Sequence, residues 1–134
     1  MFKKIISLPL LALATTAHSS EFAGQLQYKC IYNYWSEPGF EAKALENGPA
    51  RIDYITDIKK DKVFSKRGDK YSQIDYSFTT DDGGITFIQE AINGQSFITL
   101  IGVDGKSIVT HNVFKNGRTT PILLHGKCTI GVAK

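Results

Sequence analysis

Residues 82–117 read DGGITFIQEAINGQSFITLIGVDGKSIVTHNVFKNG. The stretch begins and ends on a turn dipeptide and carries two more inside: Asp82-Gly83, Asn93-Gly94, Asp104-Gly105 and Asn116-Gly117. Each is a hairpin signal, because Asn, Asp and Gly tolerate the positive φ of a type I′ turn. They fall 11, 11 and 12 residues apart, room for one ordinary strand between successive turns. The spacing predicts an antiparallel β-meander.

Treating each turn as a two-residue loop fixes which residues oppose one another, and opposed residues share a face of the sheet. Phe78 then faces Phe87, Phe87 faces Leu100, Leu100 meets Val109 and Val109 meets Leu124. One row along, Tyr76, Gln89, Ile98, His111 and Ile122 line up. Working backward, a turn at Lys60-Asp61 opposes Ile58 to Val63, and one at Gly68-Asp69 carries Val63 to Ile74, bringing Ile52 and Tyr54 onto this apolar inner face. Ile88, Ile92, Phe97, Ile101, Ile108 and Phe114 are assigned to the outer face, an apolar patch of the kind that marks a partner site.

The first strand, about Gln25 to Trp35, places Leu26, Tyr28, Cys30, Tyr32 and Tyr34 on one side. The chain's two cysteines, Cys30 and Cys128, predict one disulfide. Such a bridge lays the first strand beside the last, as when a meander of about eight strands closes into a barrel. The expected fold is therefore all-β, a disulfide-closed barrel resembling lipocalins and other calycins, with a two-sheet sandwich as the alternative. Residues 36–49, SEPGFEAKALENGP, interrupt the rhythm, and Phe40 to Asn47 reads as a short helix serving as a lid or plug.

Lys3 and Lys4, the apolar run from Ile5 to Ala14 and the small residues after it describe a bacterial secretory signal peptide over residues 1–20, leaving 21–134 as a single domain. The apolar run is well short of the roughly 18 residues that suggest a membrane span, so no membrane insertion is expected. Removing Lys3 and Lys4 turns 16 basic against 13 acidic residues into 14 against 13. That near balance argues against a nucleic-acid partner, and Lys59, Lys60, Lys62, Lys66, Arg67 and Lys70 are interleaved with Asp57, Asp61 and Asp69.

Catalytic and metal chemistry find no constellation here. His111 and His125 fall on opposite faces and no cluster has zinc spacing, so no metal or cofactor is expected. Asp81-Asp82-Gly83-Gly84 lacks the alternating oxygen ligands of a calcium loop. The inner face offers His111 no neighbouring carboxylate, and Asp75 and Glu90 pair on the solvated side, so no enzyme is expected. Tyr54, Tyr76, Gln89, Ile98 and His111 are the candidate lining of an interior pocket. Phe40, Arg67, Tyr71, Ile88, Phe97 and Ile101 are the candidate partner surface, served by the loops at 36–49 and 66–71.

An exported chain of this size with Tyr28-Lys29-Cys30 early and Cys128 late resembles the periplasmic inhibitors of c-type lysozyme. Those inhibitors carry a Ser-Gly-x-x-Tyr loop; here Gly68-Asp69-Lys70-Tyr71 keeps the Gly and Tyr, with Arg67 in place of Ser. Asn33-Tyr34-Trp35 likewise lacks the Gly-x-Trp of lipocalins, so neither resemblance carries over a functional residue. The functional expectation is an exported, non-catalytic binding protein of the periplasm or extracellular space, of the inhibitor or immunity type. The alternative is a carrier of a small apolar ligand within the barrel.

Overall fold

A computed structural model of the chain describes residues 25–57, 59–90 and 95–132. The segment read as a signal peptide lies outside them, as do Ile58 and Ile92. The described residues form one antiparallel sheet: β1 (Leu26–Ser36), β2 (Lys43–Ala44), β3 (Ala50–Asp57), β4 (Lys62–Arg67), β5 (Lys70–Gln73), β6 (Tyr76–Thr79), β7 (Ile85–Glu90), β8 (Ser96–Ile101), β9 (Lys106–Lys115) and β10 (Arg118–Val132). Strand order is β5-β4-β3-β1-β10-β9-β8-β7-β6, with β2 added to β1. The sheet curls into a half-barrel around its inner face.

The first and last strands are neighbours, as the cysteines predicted: Cys30 lies directly opposite Cys128 and is bonded to it. The ladder does not run all the way round, because the edge strands β5 and β6 are not paired with each other. With turns at Gly68-Asp69 and Asp82-Gly83, the sequence predicts one continuous strand between them. In the structure the chain breaks at Ile74 and Asp75, where the Ile74 N–H donates to Val63 O (2.8 Å) and the Asp75 N–H to Ile88 O (3.0 Å).

Turn geometry corrects the face assignment. Asn116-Gly117 is the two-residue turn expected, with φ of 55° and 72°, and Val109 opposes Leu124 as read. Gly68, at φ 59°, likewise joins Arg67 to Lys70 in the expected register. At Asp82-Gly83 and Asp104-Gly105, however, the loop holds three residues. Thr80 pairs with Gly84 and Gly102 with Lys106, with Gly83 (φ 91°) and Gly105 (φ 84°) in the left-handed position.

One extra loop residue slips the register by one and turns every side chain of the incoming strand over. Between β7 and β8 the register also stands one residue from that expected, Gln89 opposing Phe97 rather than Ile98. The first slip inverts β8, the second restores β7 and the third inverts β6. Phe87 is thus buried as expected, but it opposes Thr99 and Ser77 rather than Leu100 and Phe78. Asp57 pairs with Lys62 and Thr56 with Val63, two residues from the register expected, and a difference of two leaves the faces unchanged.

β1 changes parity at a bulge. Tyr32 pairs with Gly126 and Tyr34 with His125, so Asn33 is the additional residue and Tyr34 moves to the outer face. Beyond the bulge the partner on the other side of β1 is β2, since β3 pairs only as far as Tyr32–Ala50. This overturns the helix expected over Phe40–Asn47. Gly39 (φ 84°) turns the chain, Lys43–Ala44 pairs with Trp35–Tyr34, and the Leu45 N–H donates to Asn33 O at 3.0 Å.

The core joins opposite walls of the half-barrel. Tyr54 stacks on Phe87 (centroids 4.7 Å apart) and bonds Thr99 through its hydroxyl (2.6 Å). Tyr28 meets the Phe87 ring edge-on, and the Tyr32 hydroxyl bonds Ser107 at 2.9 Å. With Ile52, Ile74, Ile101, Val109 and the disulfide these side chains occupy the middle of the molecule. Burial raises the Tyr32 and Tyr54 hydroxyls above the ordinary tyrosine range, so both stay protonated donors.

Candidate functional site

The residues proposed as an interior pocket separate. Tyr54 is in the core, and Gln89 faces inward, accepting a bond from Ser65 Oγ at 3.4 Å. Tyr76 and Ile98 lie on the outer face, on the two strands whose parity was inverted, and oppose Ile88 from either side. His111 does face inward, at one end of the core. Its ring stacks on Phe97 (4.2 Å) and its Nε2 bonds Gln95 Oε1 (2.9 Å), while the Arg67 guanidinium lies 4.6 Å from the Phe97 ring centre.

Burial holds the His111 imidazole below its ordinary range, and the nearby positive Arg67 lowers it further. The sign of the pH effect follows. Above the unfolded value of about 6.5 the ring is neutral in both states; below it the unfolded chain takes up the proton first. Stability is expected to fall as pH drops from about 7 through the lowered folded value. Thermal unfolding across that range should show a shallower slope for His111→Gln than for the wild type, and equal slopes would refute the assignment.

The partner-surface residues divide in the same way. Phe97 and Ile101 point inward, Ile101 fully buried and Phe97 packed against the core, which corrects their assignment to the outer patch. Ile88 is outer and half-buried; Tyr71, on the edge strand β5, carries the Lys66 ammonium over its ring; Phe40 stands exposed in the loop before β2. The outer patch is nevertheless real, with other members. Along one row Tyr76, Ile88, Ile98, Thr110 and Leu123 oppose one another, and along the next Phe78, Thr86, Leu100, Ile108 and His125. Tyr76 (54 %), Phe78 (55 %), Leu100 (47 %) and Ile108 (37 %) are open to solvent. Sequence reading found the patch but named it one residue out of step on β8.

The same face continues across β9, β10, β1, β3 and β4 as a depression of about 930 Å³. Two cross-strand rows build it. One runs Lys66–Asp53–Lys29–Thr129; the other runs Arg51–Ile31–Lys127–Lys106. Five cationic side chains face a single carboxylate, with Ile31, Ile108 and Gly126 among the residues between them. No part of the sequence signals this, because its cations come from five strands.

Ser36 Oγ and His125 Nε2 lie 2.7 Å apart, a nucleophile–base distance that sequence reading missed. The bulge creates the pair by turning Ser36 to the face of His125. Ser36 is buried, and among the described residues no carboxylate bonds His125 to orient it. The pair ties the end of β1 to β10. Among the described residues no group of three or more His, Cys, Asp or Glu side chains is placed to hold a metal ion.

Comparison of the chain with protein-family models, with curated proteins and with solved structures finds no match. The resemblances to lysozyme inhibitors and to lipocalins gain no support there.

Proposed function

We propose that this protein is an exported, non-catalytic interaction protein of the bacterial periplasm or extracellular space that binds a folded protein partner through the outer face of β6–β9. The observation that carries the reading is the solvent-open patch of Tyr76, Phe78, Leu100 and Ile108, which lie in two adjacent rows on β6, β8 and β9 with Ile88 and Thr86 of β7 between them. Aromatic and aliphatic side chains gathered on one sheet face, beside a polar and charged margin, have the make-up of a protein interface. The disulfide fits an oxidising compartment, and no helix among the described residues is long and apolar enough to cross a membrane. The inhibitor or immunity type remains the form this reading takes. The packed aromatic core, with Tyr54 against Phe87 and bonded to Thr99, weighs against a ligand carrier.

The test is purification of the mature protein from the exported fraction of its host, with native mass spectrometry. A stoichiometric protein complex should be lost in Phe78→Asp and Leu100→Asp and retained in Ile130→Asp, an equally exposed apolar change on the opposite side of the sheet. A small-molecule adduct, a homodimer, or a complex insensitive to both outer-face changes would overturn the proposal.

A further inference from the structure

The basic cleft beside the apolar face has a more specific chemistry. The mature chain is nearly neutral by sequence, 14 cations against 13 acids once Lys3 and Lys4 are removed, yet the cleft gathers five cations around one carboxylate. Lys127 and Lys106 stand directly opposite each other on β10 and β9, and Arg51 lies two strands away in the same row, across Ile31. Like charges directly opposed in a ladder are unfavourable. Lys106 reaches Asp104 only at 4.0 Å on the open surface, and Lys29, Arg51 and Lys127 have no carboxylate within ion-pair distance among the described residues. The sheet therefore holds uncompensated positive charge over a floor that includes apolar groups.

The spacing of those charges selects the ligand. From β4 to β9 the cleft crosses four strand intervals, about 19 Å, which an extended peptide of roughly six residues spans. A single phosphate wants its donors converging on one point; here they are spread along two rows, with Ile31 and Ile108 between or beside them. Several carboxylates at intervals, flanking an apolar residue, match that layout.

We propose that the cleft receives an extended acidic segment of the protein partner, its carboxylates against Arg51, Lys127 and Lys106 and an apolar side chain over Ile31. The proposal rests on the interaction-protein reading and names the partner's chemistry. Binding of this kind is steered by charge and weakens with salt.

The experiment is fluorescence anisotropy of a labelled short peptide alternating glutamate and leucine, titrated with the oxidised mature protein. Lys106→Glu combined with Lys127→Glu exchanges one like-charge pair for another, so the ladder's own energetics change little, while peptide affinity should fall at least about tenfold. Lys106→Gln with Lys127→Gln should give a smaller loss in the same direction and serves if the reversal fails to fold. Unchanged affinity in both double variants, equal binding of the peptide with glutamine for glutamate, or displacement by equimolar inorganic phosphate would each overturn the proposal. Phe78→Asp should leave peptide affinity intact while abolishing partner capture. If capture fails that test but the peptide still binds by charge, the apolar docking face is wrong and the acidic-segment assignment stands.

Discussion

Breaking the Cys30–Cys128 bond by Cys→Ala substitution at both positions is expected to cost the fold about 4–5 kcal/mol. The bond closes a loop of 98 residues, and in the chain-entropy model a loop near this length contributes about that much by restricting the unfolded ensemble. A domain of this size commonly has roughly 5–15 kcal/mol of total stability, so the loss is a large share of the whole. Both sulfurs lie in the core beside Tyr28, Tyr32 and Ile52, so the alanines also remove buried contacts. Urea unfolding followed by circular dichroism should show a midpoint far below that of the oxidised wild type, and reduction of the wild type should reproduce most of the shift. A double variant within about 1 kcal/mol of the wild type would contradict this account of the β1–β10 seam.

Gly126→Ala should be nearly as damaging, for a different reason. Gly126 sits opposite Tyr32 where β1 bulges, and a Cβ there would lie 2.0 Å from Ile31 O and 2.7 Å from the Tyr32 Cα. Those atoms belong to the backbone, so no side-chain rotation relieves the overlap and the two strands must separate beside a fully buried tyrosine. Overpacking of this severity costs about 3 kcal/mol or more. For a domain of this size that lowers the melting temperature by at least about 12 °C. Gly131→Ala, five residues along β10, is the matched control. Its Cβ would meet nothing within 4 Å, and its effect should stay within about 0.5 kcal/mol. Equal melting temperatures for the two variants would refute the steric argument.

The fold was legible to the extent that local chemistry determines it. Asn-Gly and Asp-Gly pairs mark turns because of their φ, and two distant cysteines in a chain read as exported mark a bridge, so the meander and the seam could both be read. The faces could not be read throughout, since Asp-Gly suits a two-residue turn and also the last two positions of a three-residue loop ending on a left-handed Gly. That one ambiguity, at Gly83 and Gly105, contributed to putting Tyr76 and Ile98 inside and Phe97 and Ile101 outside. The bulge at Asn33 was equally invisible, and with it the Ser36–His125 contact. The basic cleft was out of reach for a third reason: Lys29, Arg51, Lys66, Lys106 and Lys127 are scattered along the chain and become neighbours only through strand order.

The two edges of the half-barrel belong to consecutive stretches of chain, Gln73 ending β5 and Tyr76 beginning β6. By hydrogen bonding the sheet is open there; by covalent bonds it is a ring. The backbone runs from Cys30 through β5, across Ile74-Asp75 and on to Cys128, and the disulfide returns it to its start. Three residue steps limit the separation of Gln73 and Tyr76 to about 11 Å however far the walls swing apart. A single nick at Ile74-Asp75 would open the covalent ring, yet the disulfide, the β1–β10 ladder and the contacts of Tyr54 with Phe87 and Thr99 would still hold the two pieces together. The open edge of the sheet is thus bridged by a link two residues long, at the opposite side of the ring from the disulfide.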